Sequence, residues 1–302
     1  MINDINTTNP QTTTEPAIGY MPCCVQPLLI SFSAGRTSAF MCKFLLEHPA
    51  YKDRQKLIVF ANTGKELEET LIFADKCDKE LGLNLVWIEA VINPEKGKGT
   101  GYKIVDFETA SRKGEPFKDL IAKYGLPSKL YRHCTRELKE IPIHKFAREI
   151  LGSKYETAIG IRADEKHRLK EKPGYVYPLA ELNVDEKFIR NWWDKQCFDL
   201  NLKDYEGNCD LCFLKSKRKK LTLVSERPEI ANWWDEMEEQ YASEYQSKFD
   251  EIRNLSIKDI ILLAELPFQK AIDKQELRSN QLTLFNYDSE YDLEYDCFCK
   301  NS

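Results

Sequence analysis

Short apolar runs alternate with helical patterns from Pro27 to about Gly174. PLLISFS (27–33), KLIVFANTG (56–64) and LNLVWIEAV (83–91) are compact apolar runs that predict buried strands, and YETAIGIR (155–162) predicts a later one. Between them, TSAFMCKFLLEH (37–48) and ELEETLIFADKCDKELG (66–82) repeat their apolar residues at helical spacing, with Gly82 placed as a C-cap. Strands without polar alternation need cover on both faces. The pattern therefore predicts an α/β fold, a doubly wound, Rossmann-like parallel sheet with helices on both sides. Ligands on such sheets lie outside the carboxyl ends of the strands. NPEKGKGTGYK (93–103) predicts an exposed loop, and KPGYVYPLAEL (172–182) closes the sheet-forming region.

Beyond residue 182 the pattern turns helical, and the pairs Trp192–Trp193 and Trp233–Trp234 predict aromatic packing of that region. The expected division is a tail (1–26), a nucleotide-binding domain (27–182), a helical region carrying C-x-x-C (183–285) and an acidic tail with C-x-C (286–302). No internal repeat stands out.

Composition changes the picture in three ways. At 302 residues, 42% hydrophobic and 31% charged, the chain reads as globular. Its net charge of −5 argues against an overall electrostatic grip on nucleic acid. The run Lys215, Lys217, Arg218, Lys219, Lys220 reads as a solvated helix face, with phosphate contact as the rival reading. No apolar run approaches the ~20 residues of a spanning helix. The first twenty residues carry acids but no Lys or Arg, so no secretory signal, no membrane partner and a cytoplasmic location are expected.

In a reducing compartment ten cysteines point to metal, cluster or nucleophile roles rather than disulfides. Cys42 and Cys77 fall in amphipathic helical patterns and read as small core residues. Cys209 and Cys212 form C-x-x-C, a spacing that brings two thiolates to one metal and also serves redox dithiols.

The first strand runs into SFSAGRTSAF, so Ser33, Ala34, Gly35, Arg36, Thr37 and Ser38 join a strand end to a helix start. Small residues let consecutive N–H groups face an anion and the helix N-terminus adds partial positive charge. Thr37 and Ser38 offer hydroxyls, and Arg36 offers a bidentate fork. A plain helix cap has the same pattern. Arg162 and Arg168, at the end of the 155–162 run, suit an anionic group, against a surface ion-pair cluster as the simpler reading.

SFSAGRTS resembles the S-G-G-x-[DT]-S signature of PP-loop adenine-nucleotide enzymes. It departs from it at Ala34, where Gly is usual, and at Thr37, where the ATP pyrophosphatases carry Asp. VFANTGKELEETLIFADKC, RHCTRELKEIPIHKF and AIGIRADEKHR are similar, in order, to further elements of the phosphoadenosine phosphosulfate (PAPS) reductase family, over roughly residues 27–182. The resemblance implies an adenine nucleotide, ATP or PAPS-like, at Ser33–Ser38 and at Asn62, Thr63 and Gly64, with Mg²⁺ as a possible companion. Arg162 and Arg168 would face its reacting end. It further implies an iron–sulfur cluster on Cys134, Cys209 and Cys212, with zinc as the alternative metal. His133 replaces the first cysteine of the family's Cys-Cys pair, leaving the fourth position to His133, Cys297 or Cys299, or free for a substrate sulfur. Related reductases end in a Glu-Cys-Gly thiol that attacks the sulfonucleotide. Here the chain has Asp296-Cys297-Phe298-Cys299, with Cys299 the candidate nucleophile, although neighbouring acids raise a thiol's pKa.

The implied function is sulfur transfer or sulfonucleotide reduction, by an oxidoreductase or a sulfurtransferase. A thiol electron or sulfur donor protein and a nucleic-acid acceptor would be its partners. The rival is a non-catalytic nucleotide- or nucleic-acid-binding protein with a structural zinc site.

Overall fold

The computed structural model describes residues 25–207, 209–243 and 247–273. Cys23, Cys24, Cys297 and Cys299, and the C-x-C tail with them, lie outside the described residues. One six-stranded sheet contains β1 (Leu28–Phe32), β2 (Lys56–Asn62), β3 (Val86–Val91), β4 (Gly101–Val105), β5 (Glu156–Ala158) and β6 (Tyr175–Val176), in the order β4-β3-β2-β1-β5-β6. All neighbours are parallel except β3 and β4. The helices are α1 (Arg36–Glu47), α2 (Glu68–Leu81), α3 (Glu115–Tyr124), α4 (His133–Thr135), α5 (Ile141–Leu151), α6 (Pro178–Glu181), α7 (Glu186–Trp193), α8 (Lys217–Glu226), α9 (Ile230–Tyr241) and α10 (Ile257–Glu265). The mixed α/β architecture with a mostly parallel sheet is the one the apolar runs predict.

Side chains alternate across a strand, so β1 feeds two cores. Leu28, Ile30 and Phe32 pack with Ala39, Met41 and Cys42 of α1 and Leu71, Phe73 and Cys77 of α2. Leu29 packs on the opposite face with Val59, Ile88 and the α5 residues Ile143, Phe146 and Ala147. Cys42 and Cys77 are fully buried, and burial pushes both thiols far up from their ordinary range. Trp193 of α7 joins the first core against Phe73, at 5.1 Å between ring centroids, so residues on both sides of position 182 share one cluster. The third cluster gathers α3, α8, α9 and α10 around Trp234. Among the described residues no helix is long and apolar enough to cross a membrane.

Two boundaries differ from the pattern. The expected loop at 93–103 gives way at Gly101 to β4, an antiparallel edge strand whose Ile104 is 62% exposed. With one face in water it has no continuous apolar run to announce it. The 155–162 run forms strand only through Ala158; the Ile159 N–H makes the last bond to β6, to the Val176 carbonyl at 3.1 Å, and the chain then leaves the sheet to form the loop beyond β5.

His144 of α5 is wedged between Tyr155 and Tyr175, with Nδ1 2.9 Å from the Tyr155 hydroxyl and Nε2 3.1 Å from that of Tyr175. Burial, reinforced by Arg148 and Lys172, pushes the imidazole down to about 4. The unfolded chain takes up this proton near pH 6.5 and the native protein does not. Stability is therefore fully present above about pH 6.5 and falls as the pH drops toward 4, by about 2–3 kcal/mol from this group. His144→Gln should lose less stability than the parent between pH 7 and pH 4.5 in urea unfolding. Equal losses in the two proteins would refute the assignment.

Candidate functional site

The chain runs from β1 outward through β2, β3 and β4, then returns to place β5 on the other side of β1. Open α/β sheets bind ligands at such a reversal, here between the carboxyl ends of β1 and β5. The loop after β1 is organised by Ser38. Its hydroxyl accepts from the N–H groups of Ser33 and Gly35, each at 3.2 Å, and donates to the Gly35 carbonyl at 2.9 Å. Ser38 thus shapes the loop from within. Ala34 sits at φ +56°, a left-handed conformation that costs a residue with a Cβ about 1–2 kcal/mol and that Gly adopts freely. Helix α1 starts directly behind with no acid in its first turn, so its positive end faces the loop without a counter-charge of its own.

Arg162 reaches across the reversal point, its Nη1 3.4 Å from Thr37 Oγ1. Asp164 holds the same guanidinium at 3.0 Å and 2.9 Å, and Glu165 accepts from the Arg162 N–H at 3.0 Å. Arg168 meets Glu165 at 2.5 Å. Arg162 therefore stands at the crevice braced by carboxylates, with Arg168 on Glu165 beside it. Arg36 points elsewhere. Its fork grips Asp199 at 2.7 Å and 2.8 Å and also donates to the Leu200 carbonyl, while Trp193 Nε1 donates to the Arg36 carbonyl at 3.0 Å. The bidentate partner expected to be a phosphate is a carboxylate, and Arg36 pins the 193–200 segment to the loop.

Next to β1, the end of β2 builds a second centre. Asn62 is fully buried, with Nδ2 donating to Glu89 Oε1 at 2.7 Å and Oδ1 accepting from the Gly64 N–H at 3.2 Å. Glu66 accepts from both the N–H and the hydroxyl of Thr63, whose Oγ1 lies 3.7 Å from Cys209 Sγ. Gly64 stands at φ +79°, where a Cβ would meet Gly114 Cα at 3.1 Å. The Cys loop is stitched to this turn by a bridge between Glu66 and Cys209 and by the Asp210 N–H donating to the Lys65 carbonyl at 2.8 Å. Lys65 Nζ pairs with Asp210 at 2.8 Å, 4.7 Å over the Trp233 ring, and Trp234 Nε1 donates to Asp210 at 2.7 Å.

Cys134, Cys209 and Cys212 line one cavity, with Thr63, Lys139 and Trp234 among its other walls. Lys139 reaches it from the π turn Arg136–Glu140, which joins α4 to α5, and lies 3.8 Å from Glu66. There the Ile141 N–H donates to the Arg136 carbonyl, one residue further back than in an α-helix. Pro142 follows at once, with no N–H of its own and a ring that clashes with the carbonyl four residues before it, so the wider turn relieves it. Among the described residues no three His, Cys, Asp or Glu side chains gather closely enough to hold a metal ion; the cysteines share the cavity's walls instead. His133 is not part of the lining. Its Nε2 lies 3.0 Å from the Gly125 carbonyl, and burial lowers its pKa. Cys297 and Cys299 lie outside the described residues.

The residues that sequence reasoning missed are Lys65, Glu66 and Asp210. An acid between two cysteines, in a loop whose next residue is Leu211, needs a buried cation, and Lys65 directly after Asn62-Thr63-Gly64 was the nearest signal.

No family model matches the chain. It is 22% identical over 233 residues to the uncharacterized protein MJ0066 of Methanocaldococcus jannaschii, covering 73% of this chain but 43% of that protein, less than half its length. It is 40% identical over 196 residues to the uncharacterized nin region protein ORF290 of Escherichia phage lambda, covering 63% of this chain and 67% of the phage protein. At that identity and coverage, the chain belongs to the family of the phage lambda nin region protein ORF290.

Proposed function

We propose that this protein is a PP-loop enzyme resembling the PAPS reductases, which binds an adenine nucleotide at the β1–β5 crevice and performs sulfur transfer or sulfonucleotide reduction. The observation that carries this reading is the convergence of Cys134, Cys209 and Cys212 on one cavity with Lys139, at the end of the strand next to the loop. Cysteines far apart in sequence are brought together with the functional groups that sulfur chemistry uses. The remaining N–H groups of the 33–38 loop and the first turn of α1 bind phosphate oxygens, and Arg162 and Arg168 hold the reacting anion. Lys139, 3.8 Å from Glu66, adds a cation to the wall that the three cysteines share.

Thiolates are the donors that iron–sulfur clusters use, and Cys134, Cys209 and Cys212 are the residues that would hold one. They would do so by closing from the cavity's walls, since they do not gather closely enough for one metal ion as they stand. Such a group, when bound, supplies electrons and a Lewis-acidic surface for sulfur. The first test is a metal and acid-labile sulfide assay with a visible spectrum on protein purified without oxygen, paired with calorimetric titration of ATP and PAPS. Iron with sulfide, lost in Cys212→Ser, and nucleotide binding weakened about tenfold or more in Arg162→Ala are expected, since one hydrogen bond to a charged group contributes about 1.5–3 kcal/mol. Stoichiometric zinc without sulfide or turnover would replace this reading with a binding protein built on a structural metal. Unchanged nucleotide affinity in Arg162→Ala would remove that residue from the anion site.

A further inference from the structure

We infer that the face formed by the 93–100 loop, the end of α3 and the 126–136 turn is a docking surface for single-stranded nucleic acid. Residues 93–136 hold ten Lys or Arg against five Asp or Glu in a chain of net charge −5. Lys103, Arg112, Lys118 and Arg136 pair with acids outside the stretch, whereas Lys96 and Lys98 have no ion pair among the described residues. The fold draws three parts of this stretch together. Lys123 Nζ donates to the Lys98 carbonyl at 2.6 Å, Thr100 donates to Glu137, and His133 meets the Gly125 carbonyl.

What this face presents to water is unusual for a solvated charge patch. Lys96 and Lys98 are exposed on a glycine-punctuated loop and make no ion pair among the described residues. Lys129 is exposed in the 126–136 turn, next to Leu130 and Tyr131, which are 65% and 61% exposed. The Nε of Arg132 at the base of the turn is buried without a hydrogen-bond partner. Glu95 is the one exposed acid of the 93–100 loop, and Glu137 is buried under Arg136. Cations on an exposed loop and an exposed aromatic ring are the two elements of single-strand recognition, a track for phosphates and a platform for bases. Tyr131 lies three residues before Cys134, so a strand stacked there passes close to the cavity. The Lys215–Lys220 run does not offer such a surface. Lys219 and Lys220 are buried, and Lys220 is paired with Asp250.

The inference stands on this surface and does not depend on the nucleotide reading, so either can fail alone. The test uses the full chain and a fluorescein-labelled oligodeoxythymidylate, with anisotropy recorded over a salt series. Lys96→Ala/Lys98→Ala alters only exposed side chains and should weaken binding about tenfold at 0.1 M salt. It should also flatten the log–log salt slope by about 1.4, at roughly 0.7 per phosphate contact on a single strand. Tyr131→Ala should weaken single-strand binding while leaving duplex binding unchanged. Absence of binding at about 50 mM salt, or an unchanged slope in the double variant, would overturn the inference. So would polyglutamate competing as well as DNA at equal charge, which would assign the face to an acidic protein.

Discussion

Lys65→Met should destabilise the protein by about 3–5 kcal/mol, the usual loss when one partner of a buried ion pair is removed. The Lys65 and Asp210 side chains are 8% and 10% exposed, and the ammonium also lies over the Trp233 ring. Without it, Asp210 keeps only the N–H groups of Trp234 and Leu211, and its charge is stranded beside the third core. The damage should be local in origin. Asp210 sits between the two cysteines, so the variant should also lose order in the loop that carries them. The double variant Lys65→Met/Asp210→Asn tests the cause. A neutral pair of similar shape removes the stranded charge, and the amide oxygen introduced in place of the carboxylate still accepts from Trp234, so much of the loss should return. Urea unfolding of the two proteins decides it. A single variant that loses less than about 1 kcal/mol, the scale of an exposed pair, would show that the pair contributes little.

Gly114→Ala should cost about 3 kcal/mol or more, from two additive causes. Gly114 has φ +81°, and a Cβ there would stand 2.8 Å from Lys65 Cδ and 2.8 Å from Trp233 Cε2. Backbone strain accounts for about 1–2 kcal/mol, and displacement of a packed aromatic ring for the rest. Gly82, the C-cap of α2, is the internal control. It takes the same left-handed conformation, with φ +65°, but nothing lies within 4 Å of a Cβ. Gly82→Ala should therefore show the strain alone, and equal denaturation midpoints for the two variants would sink the close-packing argument.

The buried strands were legible because a sheet covered on both faces needs runs such as LLISF, which are too short for a buried helix. Helix α2 was legible to its end, where Gly82 takes φ +65° as the C-cap that its sequence suggested. Edge strand β4 was not, because half its residues face water. The positions of Cys209 and Cys212 were legible as a spacing, but their meeting with Cys134 depends on tertiary contacts with the β2 turn. Arg36 shows the limit of local reading. Its place beside a phosphate-type loop suggested an anion partner, and only the fold shows that Asp199, 163 residues later, takes that place. The Lys215–Lys220 run misled for the same reason. Lys217 is exposed as that reading expects, but Lys220 is buried against Asp250 and Lys215 donates to the Gly207 carbonyl, neither partner visible from the run itself.

The π turn at Arg136–Glu140 sets the phase between two parts of one helix. Each residue of an α-helix turns the chain by about 100°. The extra residue in this turn therefore shifts His133–Thr135 by about that angle relative to α5, whose own orientation is fixed by Ile143, Phe146 and Ala147 against the sheet. Deleting one residue from 136–140 would bring back the clash that the wider turn relieves at Pro142 and, with α5 held against the sheet, swing the Cys134 thiol away from the C-x-x-C loop. In this chain, then, the length of that turn sets where the Cys134 thiol stands, as its identity sets what it can do there.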